Sequence, residues 1–202
     1  WTLANDFIPA DNPELIALAN EIAGKAKNDW LRAKAIYDWI LSDLFISSSN
    51  ENTSVLEDVQ RRQSDPCNAA LIFCTLARAL DIPAVPIAGF LIARNRDSRP
   101  HWWAEFWLDD FGWVPVDPSM GSGTIPPHFV NKDQIREYYF GNMDSQRIAF
   151  SRGVGQLPVL DRKAKTASRQ KAYALQNIWE EALGNLEAYS TLWSELSVSG
   201  IY

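Results

Sequence analysis

The sequence predicts an α+β fold, on three observations. Apolar residues recur at helical spacing through residues 12–44. A helix apolar almost all round opens at Asp65-Pro66. Largely apolar, β-branched strands then follow from Val85 to Val116, the last two joined by a hairpin-type connection.

In residues 12–44 the pattern resolves into two helices. Pro13 sits at a favoured early position behind Asp11 and Asn12, either of which can cap, and Leu15, Ile16, Leu18, Ala19, Ile22 and Ala23 share a face. Asn28 or Asp29 caps the second, with Ala33, Ile36, Tyr37, Ile40, Leu41 and Leu44 on its apolar side. Residues 46–64 are polar without clear periodicity and read as an irregular loop. Ala69, Ala70, Ile72, Phe73, Leu76, Ala77 and Leu80 make the third helix a buried central one, ended by Pro83. Residues 85–92, 101–107 and 113–116 are strands, the last two joined by Leu108-Asp-Asp-Phe-Gly112. Beyond Pro118 the pattern loosens into a Gly- and Pro-rich loop. A short helix is expected over 133–140, a strand over 147–151, a long helix over 163–192 and a terminal strand over 197–202. No repeat divides the chain. The economical reading is one domain with a core of about residues 12–120 and a C-terminal extension, 121–202, packed on it.

Composition narrows the function. The chain has 202 residues, 47% hydrophobic and 22% charged, enough for a well-filled core. A net charge of -6 argues against nucleic acid or an anionic membrane surface as main partner, because both recruit clustered Lys and Arg. Nine Trp is a rich content that suits either core packing or a peptide or glycan groove. Cys67 and Cys74 lie seven residues apart on one helix, ~10 Å at the usual rise and beyond the ~7 Å reach of a disulfide, so both are free thiols. No run approaches the ~18 apolar residues of a membrane span, so no membrane insertion is expected. The chain begins at Trp1, so an extracytoplasmic location with a removed targeting segment is expected.

Thiol-based acyl chemistry needs a partly ionised sulfur, a base within hydrogen-bond reach and a group that fixes the base. A cysteine in the first turn of a helix gains from the positive end of the helix dipole, which favours the thiolate. Cys67 has that position, whereas Cys74, two turns in among Ile72, Phe73 and Leu76, is an inert core thiol. His101 on one strand and Asp117 at the end of the next face each other if the Asp109–Gly112 turn is a hairpin. Period-two alternation puts His101, Trp103 and Glu105 on one face and Trp102, Ala104 and Phe106 on the other. The second histidine, His128, lies in a Pro-rich loop with no acid at a defined spacing, which leaves His101 the better base.

These blocks resemble the core motif of the transglutaminase-like superfamily. They are Cys67, Leu76-Ala-Arg-Ala-Leu-Asp-Ile-Pro83, Gly89-Phe90, His101-Trp-Trp-Ala-Glu105 and Gly112-Trp-Val-Pro-Val-Asp-Pro118. The family counterparts read as a cysteine opening a helix, "LARALGIPA", a strand ending in "GY" or "GF", "HAWVE" and "GWVPFDPT". The sixteen-residue separation of His101 and Asp117 matches without a gap. More weakly, Ala35-Ile-Tyr-Asp-Trp39 resembles the family's lead-in helices.

The resemblance implies a papain-like transglutaminase core: a cysteine-bearing helix on an antiparallel sheet, with helical N- and C-terminal additions. It implies Cys67 as nucleophile, His101 as general base and acid, and Asp117 as the group orienting the histidine. The Cys67 backbone amide would serve an oxyanion hole. Gln63 is either a second donor or an exposed loop residue. Trp102 and Trp103 are candidates to flank the substrate, or simply hairpin packing, and Glu105 is expected to be a structural partner. Counted back from Ile82-Pro83, the family cysteine falls on position 66, here proline, so Cys67 stands one residue late at a helix start whose geometry Pro66 alters. Asp81 replaces the family's usual glycine before Ile-Pro.

The expected activity is that of a cysteine hydrolase or acyl transferase acting on a peptide or carboxamide through a thioester. Hydrolysis is favoured over cross-linking. The partner is a peptide or protein, with a cell-envelope protein or peptidoglycan peptide as one such substrate. No metal or organic cofactor is implied, since no Cys, His and acid cluster has ligand spacing. The alternative is an inactive module of the same fold that binds peptide or glycan.

Overall fold

The computed structural model describes residues 1–47, 53–126, 129, 133–155, 160–163, 165–168, 179–184 and 197–199. Helices α1 (Pro13–Ala23) and α2 (Asp29–Asp43) start where the sequence puts caps. The Asn12 side chain accepts from the N–H groups of Glu14 and Leu15, and the Asn28 side chain from Leu31.

The stretch expected to be an irregular loop is more regular than that. It holds β1 (Phe45–Ile46), α3 (Val55–Arg61) and β2 (Gln63–Ser64), with β1 and β2 paired in parallel. A reciprocal capping box supports α3: the Ser54 side chain accepts from the Glu57 N–H and the Glu57 carboxylate from the Ser54 N–H. Seven residues are too short for an apolar period to show, and the Ser54/Glu57 spacing is the one cue to α3 in the sequence.

Helix α4 (Pro66–Arg78) is buried at every position from Cys67 to Arg78. Asp65 caps it through the Asn68 N–H at 2.8 Å, Pro66 takes the first helical position and Cys67 the second. At the other end, the N–H groups of Asp81 and Ile82 reach the carbonyls of Arg78 and Ala77, both at 3.0 Å, with Asp81 at φ +61°. This is a Schellman turn, and Asp81 holds the left-handed position that glycine takes at least cost. The family's usual glycine here is thereby explained.

Strands β3 (Ala84–Ile92), β4 (Ser98–Leu108), β5 (Gly112–Val116) and β6 (Arg147–Arg152) form one antiparallel sheet in the order β5-β4-β3-β6. The β4–β5 connection is the expected hairpin, with Gly112 at φ +83°. Gly89 pairs with His101, and a bulge between Ala88 and Gly89 lets β6 come close. A Cβ at Gly89 would lie 1.9 Å from the Ile148 carbonyl oxygen, so the approach of β6 requires glycine. Two short helices, α5 (Pro118–Gly121) and α6 (Ile135–Tyr138), lie between β5 and β6.

The two faces of the sheet are packed differently. Helix α4 lies on β3 and β4, with α1 and α2 packed on it in turn. The main core joins Ile36, Tyr37, Ile40, Ile72, Phe73 and Leu76 to Ala84, Ala88, Ala104 and Phe106 of the sheet. The odd-numbered side chains of β3 and β4, among them Val85, Ile87 and Trp103, form a separate cluster. A third cluster joins Leu91, Met120 and Tyr139.

The expected long C-terminal helix is corrected in its described part. Lys165–Ser168 (β7) and Trp179–Ala182 (β8) form an antiparallel pair, with Lys165 opposite Ala182 and Ser168 opposite Trp179. Helix propensity separates ordinary residues by only tenths of a kcal/mol, so strand pairing that satisfies backbone groups overrides it. Residues 197–199 carry no regular structure where a terminal strand was expected. Most of the remaining residues of these two spans lie outside the described ones. No helix among the described residues is long and apolar enough to cross a membrane.

Candidate active site

Cys67 stands in the first turn of α4, 3% exposed, where helix geometry points the positive dipole end. Helix α4 packs on β4, which carries His101, and on α5, which Asp117 caps. Cys74 lies deeper in the same helix, and burial pushes its thiol up to about 12. It stays protonated at neutral pH and takes no part in acyl chemistry.

His101 and Asp117 are in direct contact. His101 Nε2 lies 2.7 Å from Asp117 Oδ2, with both side chains almost fully buried. Asp117 is the N-cap of α5, and its other oxygen, Oδ1, accepts from the Met120 N–H at 3.0 Å. Burial alone would raise the Asp117 carboxyl. The His101 ring, the Arg147 guanidinium and the Met120 N–H outweigh it and hold the carboxyl at about 2. An ionised carboxylate only accepts, so the hydrogen of the His101 ring sits on Nε2, and Nδ1 is the nitrogen left to exchange protons with a substrate or nucleophile.

Arg147, the first residue of β6, completes the arrangement. It donates at 2.9 Å to the same Oδ2 that His101 contacts, and through its other terminal nitrogen to Asp144. Its guanidinium lies 5.0 Å from the centroid of the Trp103 ring and 5.8 Å from that of Tyr139. Trp103 is also stacked against His101, with ring centroids 6.4 Å apart. Burial and the Asp144 carboxylate push the Tyr139 phenol above its ordinary range.

Arg147 and Asp144 were not visible as site residues in the sequence. An acid three residues ahead of an arginine at a strand start is a common surface pair. Only the β3–β6 register carries Arg147 to Asp117, opposite Leu91 and two pairs from Gly89.

The remaining candidates divide. Trp102 packs on the α4 side of β4 and Trp103 on the other, in the cluster with Val85 and Ile87. Gln63 is exposed on β2. Glu105 pairs with Arg152 at 2.9 Å, the structural partnership expected of it. His128 lies outside the described residues. No group of three or more His, Cys, Asp or Glu that could hold a metal occurs among the described residues.

The model of the transglutaminase-like superfamily matches residues 16–118, just over half of the chain, from α1 to the residue after Asp117. The chain belongs to this superfamily. Among solved structures it is similar to a candidate cysteine protease from Cytophaga hutchinsonii, 26% identical with a TM-score of 0.51 over 58% of this chain and 40% of that one. It is also similar to the periplasmic domain of TgpA from Pseudomonas aeruginosa, 22% identical with a TM-score of 0.43 over 53% and 44% of the two chains. The chain thus spans less than half the length of each of these structures. No curated protein matches it. The transglutaminase-like fold and the Cytophaga structure support a cysteine hydrolase- or acyltransferase-like function in general terms.

Proposed function

We propose that this transglutaminase-like protein is a cysteine-dependent hydrolase that cleaves a peptide or carboxamide bond, with Cys67, His101 and Asp117 as its catalytic triad. The observation that carries the reading is the buried 2.7 Å contact of His101 Nε2 with an Asp117 carboxylate held at its other oxygen by Met120. A surface histidine–aspartate pair is commonplace. A buried pair with the carboxylate fixed at both oxygens is a tautomer-setting device of the kind a general base needs.

In the reaction, the Cys67 sulfur attacks the carbonyl carbon and its proton resides on His101 Nδ1. The new C–S bond gives a tetrahedral oxyanion facing the positive end of α4. Collapse breaks the C–N bond as His101 passes its proton to the leaving nitrogen, and a thioester remains. Water then attacks, His101 takes its proton, and the C–S bond breaks to return the thiol. An amine in place of water gives acyl transfer, and water is the acceptor proposed here. The substrate is proposed to be a peptide, with envelope proteins and peptidoglycan peptides as the class to screen, in an extracytoplasmic setting.

Alkylation by iodoacetamide tests the nucleophile. Cys67 is expected to react at mildly acidic pH well above the rate of free cysteine, and His101→Ala or Asp117→Ala to reduce that rate at least tenfold. Cys74 serves as the silent internal control. A Cys67 that reacts no faster than free cysteine overturns the proposal and leaves a binding module of the same fold.

A further inference from the structure

We propose that Arg147, held by Asp144, is a positioning residue that sets the charge seen by His101 and thereby the pH range in which the Cys67–His101 pair operates. The inference rests on the triad reading above and extends it to two residues beyond the family-matched span.

Three charged side chains meet in one buried place. Asp117 is fully buried, and the Arg147 and Asp144 side chains are 5% and 2% exposed. Buried ion pairs repay their desolvation poorly, so such a triad is weak as a stabilising device and its net charge is the property to examine. Arg147 donates to the oxygen that holds His101, and Asp144 anchors the far side of the guanidinium. The rings of Trp103 and Tyr139 fix its plane. The cation therefore stays beside Asp117 and cancels much of the carboxylate's field at the imidazole. A lone Asp117 would stabilise an imidazolium strongly, while an Asp117–Arg147 pair orients the ring with far less charge.

Asp144 acts in the opposite sense, returning one negative charge. The titratable and charged groups on the elements that meet His101, among the described residues, are Asp117 directly after β5, Arg147 on β6, Asp144 before β6, Tyr139 after α6, Cys67 with its cap Asp65 on α4, which packs on β4, and Arg99, exposed two residues along β4 on the same face. Arg147 is the cation with a buried side chain in this set, and with Asp117 committed to the ring, Asp144 is the carboxylate that opposes its effect. Substituting Arg147 and substituting Asp144 therefore push the site in opposite directions, which a purely structural role does not do.

The experiment is the pH profile of Cys67 alkylation in the full chain, with the titration of the His101 ring read by NMR in a His128→Gln background. Arg147→Met is expected to move both limbs of the profile and the ring midpoint up by about one pH unit, the usual effect of losing a nearby like charge that disfavours the imidazolium. Asp144→Asn is expected to move all three down by about half a unit, and Arg147→Lys, which keeps the charge, to move them little. If Arg147→Met fails to fold, the double variant Arg147→Met/Asp144→Asn carries no unpaired carboxylate at 144 and is expected to lie about one unit above Asp144→Asn. Shifts of the same sign in the two single variants, or no shift in either, overturn the inference. An unreactive Cys67 in the unsubstituted protein refutes the triad reading instead, and the ring titration still decides the role of Arg147.

Discussion

Asp117 concentrates the energetics of the site in one side chain. Its carboxyl is held at about 2 against an ordinary value near 3.8, so the folded state binds its proton less tightly than the unfolded chain does. A depressed folded value means the stabilisation is present above the unfolded value and is lost as pH falls through the folded one. At ~1.4 kcal/mol per unit, this is about 2 kcal/mol at neutral pH that fades between about pH 4 and pH 2. Asp117→Asn keeps the shape of the side chain, leaves the charge of Arg147 without one of its partners, and removes this dependence. Denaturant titrations of the two proteins across that range should show a stability gap at neutral pH that narrows steadily below about pH 4. A gap that stays constant to pH 2 would mean that the contacts with His101 and Arg147 do not hold the carboxyl down.

Among the elements, those with strong local signals were legible from the sequence. The caps Asn12, Asn28 and Asp65, the buried run of α4 and the glycine turn of the β4–β5 hairpin all left marks that survive in the fold. Alternation along β4 correctly separated the face bearing His101 from the face bearing Phe106, because a period of two leaves no third option. Helix α3 was missed because seven residues hold too little pattern, and β7 and β8 because strand pairing is a long-range choice that helix propensity does not report. The contact of His101 with Asp117 was legible for the same reason. His101 lies on β4 and Asp117 directly after β5, its paired strand, whereas Arg147 arrives through the bulged β3–β6 register that Gly89 permits. The end of α4 shows what a departure from family pattern means physically. Asp81 at φ +61° is a residue with a Cβ in a position that favours glycine. Asp81→Gly should therefore stabilise the protein by about 0.5 kcal/mol despite glycine's greater freedom in the unfolded chain. A thermal melt that falls on this substitution would show that the Asp81 side chain supplies something the turn needs.

At the scale of the molecule, the question is how residues beyond the family-matched span relate to the core within it. Phe140 lies 22 residues past the end of that span, at position 118, yet is only 4% exposed and belongs to the main core. Its ring centroid is 4.7 Å from Trp30, 5.3 Å from Tyr37 and 5.6 Å from Phe106, so it touches α2 and the α4-facing side of the sheet together. A backbone bridge from Phe140 to Val116 fixes it beside β5, one residue from Asp117. Phe150 is a contrasting case, on strand β6, 59% exposed, with a ring contact to Phe90 at 5.3 Å. If the core extends through residue 140 as one cooperative unit, Phe140→Ala should cost about 3 kcal/mol, the usual loss for a buried phenylalanine. For a chain of this size that corresponds to a fall in Tm of roughly 6–12 °C. Phe150→Ala should change stability by less than about 1 kcal/mol, since little of its ring leaves water on folding. Calorimetry of the two variants separates the possibilities. Equal small effects would mean that the segment carrying Phe140 rests on a core that is complete without it, and Arg147 would then reach Asp117 from a loosely attached strand. A single transition lowered by Phe140→Ala alone would tie the segment that delivers Arg147 to the same cooperative unit that holds His101 and Asp117.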